Sequence, residues 1–153
     1  MDLEELVSKS YYISKVCSID RVVDPDTIHC TIDVGFNIQY NPPKGIRLYG
    51  VDGPELHSKN SIEVKAAELV TKEIQKILTT YHTNGKLWIL SRGLDIYGRI
   101  LGQLVYLSSN KSSKLLNVND SIATSGIVRG YDGKKARAPW TDEELNKIIK
   151  SLS

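Results

Sequence analysis

The sequence contains no run of about 18 apolar residues, so it holds no membrane-spanning helix. It also lacks an excess of either charge: Lys plus Arg number 20, Asp plus Glu 18, for a net charge of +2. That balance announces no polyanion partner, so any such partner has to be met by a local basic site. There are only two cysteines, Cys17 and Cys30. Two do not make a disulfide framework, and a reducing compartment keeps both as thiols, although a bridge across a hairpin stays open. The opening residues Met1-Asp2-Leu3-Glu4-Glu5-Leu6 carry neither the basic stretch nor the continuous apolar core of a secretory signal. The expectation is an intracellular chain, or one packaged without secretion, as by a virus or phage. Internal repeats and low-complexity tails are also lacking. What remains is a length of 153 residues that suits one domain, with 41% hydrophobic and 25% charged residues.

Residues 1–10 read as a short amphipathic lead, and 11–153 as one domain. Residues 11–23 mix β-branched and aromatic side chains and predict a strand. Asp24-Pro25-Asp26 is a turn signal, and Thr27 to Val34 alternates as the second arm of a hairpin. Gly35 to Gly45, with two prolines, predicts a long loop. Ile46 to Val51 predicts a third strand, stopped by Asp52-Gly53-Pro54-Glu55. From Ser61 to Thr80 the period changes, with Ala66, Val70, Ile74, Ile77 and Leu78 recurring at helical steps. Lys86 to Arg92 and Gly98 to Leu107 predict two more strands, and Ser108 to Lys114 a polar turn. Val118 to Ser125 predicts a short helix ended by Gly126. Thr141 with Glu144 forms a capping box for a last helix. Five strands with about three helices fit an α+β fold built on a five-stranded OB-type barrel.

Polar residues interrupt these apolar elements at a few places. Asp26 follows a tight turn with Asp24 before it; Arg47 sits inside the third strand; Asp52 and Glu55 follow its end; Arg99 closes the turn after the fourth strand. Arg47 and Asp52 are an odd number of residues apart and would face opposite ways in one straight strand, so a bend near Gly50 or Gly53 is needed to bring them together. Carboxylates at strand ends suit a hard divalent cation such as Ca²⁺. Two arginines suit a phosphodiester, because the guanidinium fork pairs with phosphate oxygens. A further carboxylate can hold or deprotonate a water. Together these describe metal-assisted phosphodiester hydrolysis. The competing reading is a set of solvated surface charges and salt bridges.

Val22-Val23-Asp24-Pro25-Asp26-Thr27, then Ile46-Arg47-Leu48-Tyr49-Gly50-Val51-Asp52-Gly53-Pro54-Glu55, then Asp95-Ile96-Tyr97-Gly98-Arg99, resemble in order three segments of the staphylococcal nuclease (thermonuclease) family. The resemblance runs from about Lys15 to Tyr131. It implies a Ca²⁺-dependent enzyme that cleaves DNA and RNA with little sequence preference and leaves 3′-phosphate ends. By position it implies Asp26 and Asp52 as metal carboxylates, with Gly53 offering a backbone carbonyl. Asp24 falls on a carboxylate lying behind those ligands. Arg47 falls on the phosphate-binding arginine of the third strand, Arg99 on the second arginine, which stabilises the transition state, and Glu55 on the carboxylate that contacts the attacking water. Tyr97 falls on a tyrosine at a terminal phosphate. DNA or RNA is the implied partner, with no membrane role.

Three departures stand out. Pro25 replaces the usual glycine of the first turn, Gly53 replaces a residue that is usually threonine, and Ile96 stands where members often carry a basic residue. The segment Gly35–Gly45 also looks longer than in compact members, adding Phe36 and Tyr40 near the expected cleft. Downstream, Arg129, Lys134, Lys135 and Arg137 surround Tyr131. These read either as a basic flank with a stacking ring beside the substrate or as a solvated loop. Every catalytic identity implied by the resemblance is present, which favours an active nuclease. The alternatives are a catalytically inactive nucleic-acid-binding module and a structural, virion-associated protein that keeps the fold.

Overall fold

The computed structural model describes residues 3–8, 12–109 and 115–153. Their elements are α1 (Leu3–Ser8), β1 (Tyr12–Asp24), β2 (Thr27–Asp33), β3 (Gln39–Tyr40), β4 (Ile46–Leu48), β5 (Val51–Asp52), α2 (Ser61–Asn84), β6 (Gly85–Leu94), β7 (Ile100–Ser108), β8 (Leu115–Asn117), α3 (Val118–Thr124), β9 (Arg129–Gly130) and α4 (Asp142–Leu152). Five strands close a barrel in the order β1-β6-β7-β4-β2, with β2 pairing back onto β1. All of these pairings are antiparallel except β4–β7. The fold is the α+β, OB-type barrel that the strand pattern predicts. The N-terminal lead adds a short helix, α1, to the three expected. The polar turn expected at 108–114 lies, from 110 on, outside the described residues.

β1 is the strand that makes closure possible. It pairs with β6 over Tyr12–Lys15 and with β2 over Lys15–Asp24, and its register against β2 slips at three points. Such bulges raise the local twist, which lets one strand bend around a small barrel. Inside, Val16, Ile28, Cys30, Ile46, Leu87 and Leu104 are in one buried cluster with Ala66, Val70, Ile74 and Leu78 of α2. The four α2 residues recur every fourth position, so one stripe of the helix faces the barrel. Asn60 caps that helix by accepting from Ile62 N at 3.0 Å. At α4, Thr141 Oγ1 accepts from Glu144 N at 3.2 Å, the backbone half of the expected capping box.

The expected third strand breaks in two. β4 ends at Leu48, and β5 resumes at Val51 after Gly50, whose φ is +78°. Only glycine takes that conformation at little cost. Buried Asn119 of α3 stabilises the corner: its amide donates to Tyr49 O (2.8 Å) and Gly102 O (3.0 Å), and its oxygen accepts from Leu104 N (3.0 Å). A single side chain thus bonds three backbone groups around the corner, and Gly102 O also accepts from Tyr49 N at 2.9 Å. The bend redirects β5, which pairs with β9 instead of continuing the barrel.

Candidate active site

The redirected β5 brings two buried carboxylates together. Asp26 lies at the β1–β2 turn, where its own amide donates to Asp24 Oδ1 (3.1 Å) and its carbonyl accepts from Leu48 N of β4 (2.8 Å). Neither Pro25 nor Asp26 has a positive φ, so the turn does without the freedom a glycine would add. Arg47 of β4 is held by donation to Leu48 O (2.8 Å), and its Nη2 lies 3.4 Å from Asp26 Oδ2. Asp52 ends β5 with 2% exposure. The sequence-predicted Asp26, Arg47 and Asp52 therefore share one site because the chain bends at Gly50.

Glu55 and Arg99 stand at its edges. Glu55 is exposed, in a turn whose geometry depends on Glu63 of α2: Glu55 N donates to Glu63 Oε2 (2.8 Å), and Ser58 Oγ to Glu63 Oε1 (3.0 Å). Arg99 Nε is bound to Asp95 Oδ2 at 2.7 Å, and its Nη1 donates to Thr27 Oγ1 at 3.0 Å. Thr27 in turn donates to Asp26 Oδ1 (3.4 Å), which links Arg99 to the carboxylates through one hydroxyl. Tyr97 is largely exposed, with its ring centroid 5.5 Å from the Arg99 guanidinium carbon. Ile96 is 91% exposed on the same turn and offers no charge.

The most informative contacts come from two arginines that the sequence placed only in a basic flank. Arg129 of β9 lies opposite Asp52 in the β5–β9 ladder and pairs with Asp52 Oδ2 through Nε and Nη2, each at 2.9 Å. Its guanidinium lies 4.1 Å from the Trp140 ring centroid. It also bonds Ala138 O and pairs with Glu144. Arg137 reaches all three carboxylates: Nη1 lies 3.0 Å from Asp52 Oδ1 and 3.4 Å from Asp26 Oδ2, and Nη2 lies 2.7 Å from Glu55 Oε1. No sequence signal links these pairs, which are 77 and 85 residues apart. Tyr131 accompanies them, donating its amide to Gly50 O (2.9 Å) and its hydroxyl to Lys135 O (2.5 Å). Lys134 and Lys135 are exposed on that loop, and Lys135 with Asp52 lines a shallow depression.

Gly53 carries a second unforeseen relation. A Cβ built there would lie 2.2 Å from Pro25 Cβ and 3.3 Å from Val128 Cγ1. The two departures from the family pattern thus touch: the Pro25 ring fills the space a side chain at 53 would need. The segment 35–45 behaves differently. Its residues 40 and 42–45, with Tyr12 and Leu94, wall an apolar groove of about 740 Å³, and Lys44 Nζ donates to Tyr97 O (3.0 Å) beside it.

The electrostatics follow from burial. Burial pushes the Asp26 carboxyl up, Arg47 pulls it back and the Asp24 charge raises it again; the balance, with Arg137 also lowering it, is about 7. For Arg137, partial burial pulls the guanidinium down, and Glu55, Asp26 and Asp52 together outweigh it and hold it above its ordinary value. Partial burial also raises Asp95, but donation from Arg99 and Tyr97 outweighs that and holds it below the usual carboxylate range. Among the described residues no group of three or more His, Cys, Asp or Glu is gathered to hold a metal ion. Two carboxylate oxygens, Asp26 Oδ2 and Asp52 Oδ1, nonetheless converge on one cationic nitrogen of Arg137. A pair of oxygens so placed fits a hard cation that fills its remaining positions with carbonyl and water oxygens.

A family model described as staphylococcal nuclease homologue matches residues 45–150, more than half of the sequence. The match begins after the β1–β2 hairpin, so Asp24 and Asp26 lie outside it and are joined to the rest by geometry. Among curated proteins none matches the sequence. The chain belongs to the staphylococcal nuclease homologue family.

Proposed function

We propose that this protein is a nuclease that hydrolyses phosphodiester bonds of DNA or RNA with Ca²⁺ as cofactor, without preference for the sugar, and leaves 3′-phosphate ends. The observation that carries the reading is the convergence of Asp26, Arg47, Asp52 and Glu55 at one mouth of the barrel, with Arg99 joined through Thr27. In this reading Asp26, Asp52 and the Gly53 carbonyl hold the cation, and Asp24 fixes the turn that presents Asp26. When bound, Ca²⁺ supplies positive charge that polarises the phosphoryl oxygens. Glu55 accepts a hydrogen bond from a water and aims it at phosphorus. Arg47 and Arg99 bind the phosphoryl oxygens and neutralise the charge that grows on them as the bond to the 5′ oxygen breaks. Tyr97 meets a terminal phosphate, while Tyr131, Lys134 and Lys135 flank the strand. The experiment is digestion of plasmid and single-stranded DNA with Ca²⁺, with Mg²⁺ and with EDTA. Cutting with Ca²⁺, little with Mg²⁺ and none with EDTA supports the reading; equal rates with Mg²⁺ count against the assigned site, because Mg²⁺ demands tighter octahedral geometry.

One observation favours a second reading, a nuclease-like module that binds nucleic acid or serves a structural role without cutting. Asp26, Asp52 and Glu55 are all already paired with guanidinium groups. Absence of cutting in any metal, with salt-sensitive nucleic-acid binding retained in EDTA, supports that reading instead.

A further inference from the structure

We propose that Arg137 is a tethered competitor for the cation position: its guanidinium occupies the point between Asp26 and Asp52 in the metal-free protein and leaves when a divalent cation binds. The inference rests on the nuclease reading above. The two oxygens of Asp52 are used differently. Oδ2 is committed to Arg129, which five contacts fix in place: two to Asp52, one to the Ala138 carbonyl, one to Glu144 and the Trp140 ring. Oδ1 is held by Arg137 alone among the described contacts. Arg137 lies in the irregular stretch between β9 and α4, flanked by Ala136 and Ala138, and its side chain is 40% exposed. Its described contacts are those to the three carboxylates. One arginine is built in, and the other is parked.

The distances make the two occupants exclusive. Nη1 lies 3.0 Å from Asp52 Oδ1 and 3.4 Å from Asp26 Oδ2. Calcium sits about 2.3–2.6 Å from each oxygen ligand, so an ion bound to both oxygens takes the place of that nitrogen. Charge adds to this: Arg47 and Arg129 already offset the two carboxylates, so the third guanidinium, Arg137, is the one whose departure lowers the repulsion a cation meets. Release also frees Glu55, whose Oε1 holds the other arm of the fork at 2.7 Å. Displacing one side chain thus frees Asp52 Oδ1 and unmasks the carboxylate assigned to the water, while Arg47 stays 3.4 Å from Asp26 Oδ2. The freed guanidinium stays at the mouth, where a phosphodiester would be met.

The test is calorimetric titration of Ca²⁺ into the full chain, wild type beside Arg137→Gln and Arg137→Lys, with thermal melts in EDTA. Removal of the competing charge predicts Ca²⁺ binding tighter by roughly 5–150-fold in Arg137→Gln, the range of ordinary site–site coupling. The same variant melts lower in EDTA and regains much of that loss with Ca²⁺. Arg137→Lys keeps the charge and stays near wild-type affinity; if Arg137→Gln fails to fold, the equally neutral Arg137→Met is titrated in its place, with the same gain expected. Equal or weaker binding by Arg137→Gln overturns the inference and leaves the calcium reading standing. Failure of every protein to bind Ca²⁺ overturns both.

Discussion

Gly53→Ala asks whether the two family departures are one event. The added Cβ would lie 2.2 Å from Pro25 Cβ. The proline ring cannot rotate away because its φ is fixed by the backbone. The other neighbour, Val128, is core at 2% exposure, so the strain has no cheap outlet. Overpacking of this kind costs about 1–3 kcal/mol. For a chain of this size each kcal/mol lowers the melting temperature by roughly 2–4 °C. Pro25→Gly alone should cost about 0.4–1 kcal/mol through a looser unfolded chain. With the ring gone, the 2.2 Å clash is removed and the same Ala meets Val128 Cγ1 at 3.3 Å. The double variant should then be more stable than the sum of the singles predicts, by about 0.5–3 kcal/mol. Urea or thermal unfolding of the four proteins in EDTA measures the cycle. Additivity within about 0.5 kcal/mol would refute the claim that Pro25 is what excludes a side chain at 53.

Three further outcomes follow from the site. Arg99→Ala should slow DNA cleavage by about 10²–10³-fold, by analogy with loss of one oxyanion donor, and an unchanged rate would remove Arg99 from the chemistry. Asp26 is raised from 3.8 to about 7, so the folded protein keeps a proton that the unfolded chain releases. Its stabilising contribution is therefore complete below pH about 4 and is lost as pH rises through 7, so Asp26→Asn should gain on the parent in EDTA melts between pH 5 and 8. A difference that stays flat with pH would contradict that. Asn119→Ala takes the side-chain partner from Tyr49 O and Leu104 N and one of two partners from Gly102 O, and should lower stability by about 1–3 kcal/mol in denaturant unfolding.

The barrel was legible where periodicity runs long enough to be read. β1 and β2 alternate, α2 repeats its apolar residues every fourth position, and Thr141 with Glu144 marks α4 by local chemistry. The two-residue strands β3, β5 and β9 have no period to detect, and α1 is one short stretch of six. The break at Gly50 was anticipated only as a geometric need of Arg47 and Asp52. The positions of Asp26, Arg47, Asp52, Glu55 and Arg99 were readable because they lie in short ordered segments. Arg129, Arg137 and Asn119 were not, because they reach the site across 77, 85 and 70 residues and their role depends on where a strand turns. The Pro25–Gly53 contact was hidden for the same reason: two departures that looked separate in sequence adjoin only after the chain bends.

The central claim is that this constellation cuts phosphodiester bonds. The measurement that meets it directly is cleavage of an end-labelled single-stranded oligonucleotide in Ca²⁺, wild type beside Glu55→Ala, with the product ends identified. The account predicts Ca²⁺-dependent products bearing 3′-phosphates, lost in the variant and in EDTA. An intact oligonucleotide under every condition, or equal cutting by Glu55→Ala, would contradict it.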